Sequence, residues 1–177
     1  MAAVEFTSTP KFNHVAMSLT AEQLGAPSRA DIVRFYNSVF GWKELDVMTE
    51  DRRRLILSAY THEQFVFLIA DDEGMRCPRL DHFGMSVGTL AELEGLHAAC
   101  VEYQKTDPRV DIIAPKTDDF GMLKLTGFYV GYLLPMMVEV QHWEFVDPPT
   151  DAASDTTADG AAGTPGAAGV ATGGESA

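Results

Sequence analysis

A seven-residue pattern that occurs twice constrains the fold of this chain more than any other feature. Residues 13–19 (NHVAMSL) and 81–87 (DHFGMSV) share the order turn-forming residue, His, apolar, small, Met, Ser, apolar, and start 68 positions apart. This spacing indicates two similar supersecondary units in succession. Each copy alternates with a period of two, which predicts a strand with one apolar face and one face of His and small residues.

The segments after each strand also correspond. Residues 28–40 have an apolar stripe at helical spacing, with Ser28 as the predicted N-cap and Gly41 as the stop. The stripe consists of Ile32, Phe35, Tyr36 and Val39. Thr89 is predicted to cap a second helix with an inner face of Leu93, Leu96, His97 and Cys100.

Three strand-like stretches follow each predicted helix. They are residues 42–48, 54–59 and 64–70 in the first half, and 110–114, 123–134 and 136–145 in the second. The sequence therefore predicts an α+β fold in which two βαβββ repeats form a half-open barrel with a central cleft. Helices are expected on the convex side.

Composition places the limits of the predicted domain. Residues 147–177 contain mostly Ala, Gly and Thr with five acidic residues and no basic ones, which predicts a disordered acidic tail. Residues 1–9 are expected to be a flexible N-terminus. The folded domain is predicted at 10–146, with repeat one at about 12–72 and repeat two at about 80–146.

Charge and cysteine content restrict partners and compartment. The net charge of −13 argues against nucleic-acid binding and against anionic membranes, and no apolar run is long enough to span a bilayer. Cys77 and Cys100 form neither a CxxC pair nor a disulfide framework, which favours reduced thiols and a cytoplasmic location. We expect the partners to be a small-molecule substrate and a second copy in a homodimer.

The repeated histidines are candidate ligands. His14 and His82 occupy the same position of the repeat, on the strand face that otherwise carries only small residues. A lone strand histidine is most simply a hydrogen-bonded side chain. Two at equivalent positions, each beside small residues, favour a space kept open for a ligand.

The chain resembles the vicinal oxygen chelate superfamily, which includes glyoxalase I, methylmalonyl-CoA epimerase, extradiol dioxygenases and the bleomycin-resistance proteins. The resemblance spans residues 12 to about 145. Its carriers are residues 13–17 (NHVAM), 35–42 (FYNSVFGW), 81–85 (DHFGM) and 138–140 (VEV). It implies the βαβββ repeats and a cleft that holds a metal.

The resemblance implies three metal ligands: His14, His82 and Glu139. The fourth position of the superfamily falls near Phe67, which cannot bind a metal, and Gln64 would need a register shift to reach it. Two histidines and one carboxylate with open positions suit Fe(II), although Mn(II), Zn(II), Co(II) or Ni(II) are also compatible. Tyr129 is the candidate catalytic residue, as a hydrogen-bond donor or acid near Glu139.

Three functions remain open from the sequence. The ligand set favours a non-haem Fe(II) extradiol-type dioxygenase that acts on a small catechol-like substrate. A glyoxalase- or epimerase-type lyase or isomerase is the first alternative, and the absent fourth ligand counts against it. A drug- or metabolite-binding protein without catalysis is the second alternative, and the three retained ligand positions count against it.

Overall fold

The structure is a computed structural model that describes residues 11–61 and 63–146. The first repeat contains β1 (His14–Leu19), α1 (Ala26–Phe40), β2 (Lys43–Glu44), β3 (Arg54–Ser58) and β4 (Phe65–Ala70). The second contains β5 (His82–Ser86), α2 (Leu90–Thr106), β6 (Asp111–Asp119), β7 (Leu123–Gly131) and β8 (Met137–Phe145). This is the predicted βαβββ order, twice. The expected flexible N-terminus at 1–9 and acidic tail at 147–177 lie outside the described residues.

The strands form two four-stranded mixed sheets with the same topology. Their orders are β1-β4-β3-β2 and β5-β8-β7-β6. In each sheet the first and last strands of the repeat pair in parallel, and the other pairs are antiparallel. The sheets do not close on each other, so the predicted α+β class and open architecture are confirmed.

The two helices form for the predicted reasons, with one difference at an N-terminus. All four residues of the predicted α1 stripe are buried. The helix begins at Ala26 instead of following a Ser28 cap, because Gly25 takes the N-cap position and a proline is accepted in the first turn. At the other end Gly41 has φ 71°, a left-handed conformation that glycine adopts without strain. In α2, Thr89 and Glu92 form a capping box.

One hydrophobic core is shared by the two repeats. It contains the buried faces of both helices and of both sheets. Phe35 of α1 is fully buried, and its ring centroid lies 5.0 Å from that of Tyr103 and 4.5 Å from that of Tyr132, both in the second repeat. The Tyr36 hydroxyl donates a hydrogen bond to the Tyr132 carbonyl at 3.1 Å. The repeats are therefore fixed to each other through α1.

A polar contact on the surface also joins the repeats. Arg109, after α2, donates to a carboxylate oxygen of Asp31 in α1 at 2.7 Å and to the Tyr132 hydroxyl at 2.9 Å. Asp107 accepts from Arg109 and from Tyr132, and these donors hold the pKa of that carboxyl well below its usual range. Because this contact lies at the surface and Arg109 is about half exposed, we expect its contribution to stability to be smaller than that of the aromatic contacts.

Three strand ends differ from the predictions by three residues or more. The strand predicted at 123–134 ends at Gly131. The predicted strand at 42–48 is only Lys43–Glu44, because the chain turns at Leu45, whose carbonyl accepts from the Met48 and Thr49 amides. The predicted strand at 110–114 continues to Asp119. A register shift between Ile113 and Lys116 accommodates Pro115, which lacks an amide hydrogen for the ladder.

Neither of the two helices in the described residues is long and apolar enough to cross a membrane. Both cysteines are free, as the sequence predicts. Cys100 is buried in α2, and this burial raises the pKa of its thiol to about 12. A thiol in that state is unreactive at neutral pH.

Candidate functional site

The site lies on the face of the second sheet that is turned away from the core. In β5, Phe83 and Met85 pack against the core, so the alternate positions His82, Gly84 and Ser86 point to the open face. The register pairs Gly84 with Glu139 of β8, and Glu139 with Tyr129 of β7. His82, Glu139 and Tyr129 are thereby brought together, as the sequence predicts for the second repeat.

The central contact is between two groups that both carry lone pairs. His82 Nε2 lies 3.2 Å from Glu139 Oε2. The other ring nitrogen, Nδ1, lies 2.7 Å from the Leu80 carbonyl oxygen, which can only accept, so Nδ1 must carry the hydrogen. The Nε2 lone pair of a neutral His82 therefore points at a carboxylate oxygen. This contact is favourable only with a cation between the two groups or a proton on one of them.

Glu139 is held by donors. It is 8% exposed, one of two buried polar residues in the described part of the chain. Gln141 Nε2 donates to Glu139 Oε2 at 2.7 Å, and the Gln141 Oε1 accepts from the Trp143 indole nitrogen at 3.1 Å. Within the described residues its only ion-pair partner is His82. The surroundings therefore stabilise the carboxylate without supplying a permanent cation.

Tyr129 completes the group. Its phenol donates to Glu139, and this hydrogen bond is the main reason that its pKa is raised to about 12. Its ring stands edge-on to His82 with centroids 5.0 Å apart. At neutral pH Tyr129 is therefore a protonated donor, able to hydrogen-bond an oxygen of a bound molecule and unable to act as a base.

Two glycines on the neighbouring strands lie beside the Glu139 carboxylate and have no side chains to cover it. A Cβ built on Gly84 would have two atoms within 4 Å, Glu139 Oε2 and Gln141 Oε1, each at 3.9 Å. A Cβ on Gly127 would lie 3.5 Å from Glu139 Oε1. Gly84, the β5 partner of Glu139, and Gly127, the β7 partner of Gln141, therefore place no side chain over the carboxylate.

His14 stands apart from this group. Its Nδ1 is 2.8 Å from the Asn13 side-chain oxygen, and its ring stacks on Phe65 with centroids 4.9 Å apart. In the part of the chain that the structure describes, no three His, Cys, Asp or Glu side chains are placed to hold a metal ion together. The predicted triad of His14, His82 and Glu139 is therefore not assembled; only its second-repeat pair is.

The donor set of the pair fits a divalent metal. An imidazole with its second nitrogen on a backbone carbonyl and a carboxylate with its own hydrogen-bond donors are typical of metal ligands and the groups that orient them. Phe67, the first-repeat counterpart of Glu139, pairs with Ala16 just as Glu139 pairs with Gly84. The first repeat thus offers no carboxylate at that position.

The same fold is found in solved structures. A putative glyoxalase family protein from Bacillus anthracis aligns with a TM-score of 0.53 at 12% identity, over 79% of this chain and 100% of that one. A lactoylglutathione lyase from Agrobacterium tumefaciens gives 0.50 at 13%, over 76% and 94%. A glyoxalase/bleomycin resistance protein/dioxygenase family enzyme from Burkholderia phytofirmans PsJN gives 0.50 at 12%, over 73% and 96%.

No protein-family model and no curated protein sequence matches the chain. At such low identity the structural likeness concerns the fold alone. The chain has the glyoxalase/bleomycin resistance/dioxygenase fold, which is that of the vicinal oxygen chelate superfamily, and the resemblance seen in the sequence is confirmed at that level. The activity has to be inferred from the site.

Proposed function

We propose that the protein is a metal-dependent enzyme, and specifically a non-haem Fe(II) dioxygenase of the extradiol type acting on a small catechol-like substrate. The observation that carries this proposal is the contact between His82 Nε2 and Glu139 Oε2, in which two acceptors face each other at 3.2 Å while Nδ1 is committed to a backbone carbonyl. A divalent cation satisfies both groups at neutral pH. The alternative is a proton on one of the two groups, and a metal titration distinguishes it from a bound cation.

We propose that His14 joins this site from a second copy of the chain. Both sheets have partly exposed apolar side chains on their open faces, including Ile69 (43% exposed) on the first and Trp143 (43%) on the second. Covering such surfaces is favourable, and a homodimer could cover the second-sheet face of one chain with the first-sheet face of the other. His14 of the partner subunit would then approach His82 and Glu139.

The roles of the chain's own residues follow from their positions. Fe(II), when bound, would supply a Lewis acid that acidifies a substrate hydroxyl, and open positions for substrate and O₂. Tyr129, protonated at neutral pH, would donate a hydrogen bond to a substrate oxygen beside Glu139. Gly84 and Gly127 leave room for a flat ring to approach the carboxylate. The cytoplasm, where we propose that the protein acts, keeps Fe(II) and both thiols reduced.

The test begins with metal. Chelator-stripped full-length protein is titrated with Fe(II) under anaerobic conditions, with His82→Ala beside it. His142→Ala is the matched control, because His142 lies three positions after Glu139 on the same strand and its Nδ1 faces the Val87 carbonyl. Close to one Fe(II) per chain is expected for wild type and the control, and a loss of binding for His82→Ala.

Reactivity separates the candidate enzymes. The Fe(II) protein with catechol bound should give a high-spin electron paramagnetic resonance signal with nitric oxide, and turnover of catechols should consume O₂. Turnover that needs metal but no oxygen would instead establish a lyase or isomerase. Ligand binding without any metal uptake would establish a binding protein and refute the metal site.

A further inference from the structure

We infer that Gln141 is a metal ligand, so that one chain by itself supplies a three-donor site of His82 Nε2, Glu139 Oε2 and Gln141 Oε1. This inference rests on the proposed metal-dependent function and adds a residue to it. None of the three donors comes from the first repeat.

The strand places Glu139 and Gln141 on one face. Residues two apart in a strand point to the same side, at about 7 Å along the chain. Glu139 is buried and Gln141 is half-buried, so both side chains are partly shielded from solvent. The sequence E-x-Q on β8 therefore presents two oxygen donors side by side, with His82 from the neighbouring strand.

The space between the donors lies over Gly84. A side-chain Cβ there would be 3.9 Å from Glu139 Oε2 and 3.9 Å from Gln141 Oε1, and no other heavy atom outside its chain neighbours would lie within 4 Å. His82, which contacts the same Glu139 oxygen at 3.2 Å, is two residues before Gly84. Two oxygen donors thus border the space over Gly84, and His82 Nε2 reaches one of these oxygens from the preceding open-face position of β5.

Trp143 fixes which end of the Gln141 amide is the oxygen. The indole N–H can only donate, so the group that it contacts at 3.1 Å must be Oε1. The amide nitrogen is then directed at Glu139, to which it donates at 2.7 Å. A carbonyl oxygen has two lone pairs, so Oε1 can accept from Trp143 and bind a cation at the same time.

The chemistry of this donor set is that of a hard or borderline divalent ion. One imidazole, one carboxylate and one neutral amide oxygen give a net charge of −1 and no thiolate, which suits Fe(II), Mn(II), Co(II) and Zn(II) over soft ions. A single-chain site also predicts that metal binding survives dissociation of any dimer. His14 of the partner subunit would then add a ligand to a site that already exists.

Co(II) is the probe for the test, because its visible absorption reports its ligands. Wild type, Gln141→Leu, Gln141→Glu and His14→Leu are titrated after chelator treatment. Gln64→Leu is the matched control, since Gln64 precedes β4 in the first repeat and its side-chain oxygen is 2.8 Å from the Thr61 hydroxyl. Gln141→Leu should bind Co(II) more than about 100-fold more weakly, beyond the range usual for loss of a group that only orients a ligand. Gln141→Glu, which keeps an oxygen donor, should bind with a shifted spectrum.

Each outcome decides the question. Wild-type affinity in Gln141→Leu, or a weaker affinity with an unchanged spectrum at saturation, would show that Gln141 does not bind the metal and would overturn the inference while leaving the proposed function intact. An absence of Co(II) binding by wild type would overturn both. Loss of binding in Gln141→Leu with a changed spectrum in Gln141→Glu, while Gln64→Leu is unaffected, supports the single-chain site.

Discussion

Replacing Phe35 with alanine tests whether the two repeats share one core. Phe35 is 0% exposed, and its ring contacts Tyr36 and Phe40 within the first repeat and Tyr103 and Tyr132 in the second. The substitution removes a ring from between the two halves and leaves a cavity between side chains that cannot all move to fill it.

The expected cost follows from this burial. Truncation of a fully buried phenylalanine lowers the free energy of unfolding by about 3–5 kcal/mol. For a domain of this size that corresponds to a fall in melting temperature of roughly 10–20 °C. Because the ring touches both repeats, the loss should appear in one cooperative transition.

Circular dichroism at 222 nm and near-ultraviolet signals from the aromatic residues are followed together during heating. Phe12→Ala is the matched control, because Phe12 is 80% exposed. This substitution should change the free energy of unfolding by less than about 0.5 kcal/mol. Phe35→Leu gives a milder measurement if the alanine variant does not fold. Two separate transitions, or an unchanged midpoint in both Phe35 variants, would refute the shared core.

Two further predictions concern the site. Because hydrogen bonding to Glu139 raises the pKa of Tyr129 to about 12, Glu139→Gln should lower it toward the ordinary value of about 10, measured by phenolate absorbance at 295 nm after a rapid pH jump. The stabilisation of the fold that comes with this raised pKa is present below about pH 10 and is lost as the pH rises toward 12. If the pKa of Tyr129 is the same in Glu139→Gln, the hydrogen bond to Glu139 is not what raises it. Gly84→Val should weaken Co(II) binding without unfolding the exposed edge of β5, and unaltered affinity would show that the space over Gly84 is not used.

Much of the fold can be predicted from residue patterns that lie within a single helix or strand. The α1 stripe of Ile32, Phe35, Tyr36 and Val39 is fully buried as predicted, because helical spacing alone determines which residues share a face. The predictions were wrong where the same apolar pattern fits either a strand or an exposed turn. Val47 and Met48 resemble strand residues, yet they are 94% and 43% exposed beyond the turn at Leu45. Whether an apolar residue finds a partner depends on tertiary contacts.

The site was predictable within one repeat and not between repeats. Strand alternation puts His82 and Glu139 on one face, and parallel pairing of β5 with β8 brings them together. The repeat also gives His14 and His82 the same position, each in the first strand of its own sheet. This equivalence does not determine how the two sheets face each other. Same-face alternation on β8 also puts Gln141 beside Glu139, whereas the Leu80 carbonyl that orients His82 carries no residue-type signal.

The pairing of Ala16 with Phe67 in one repeat, against Gly84 with Glu139 in the other, has an evolutionary consequence. The two repeats share one topology, while only the second has a carboxylate at this position. Under the proposed function, substitutions in the first repeat other than at His14 would alter which molecules are accepted, while His82, Tyr129 and Glu139 in the second repeat would remain unchanged. Such a division lets selection change the substrate of a lineage without rebuilding its chemistry.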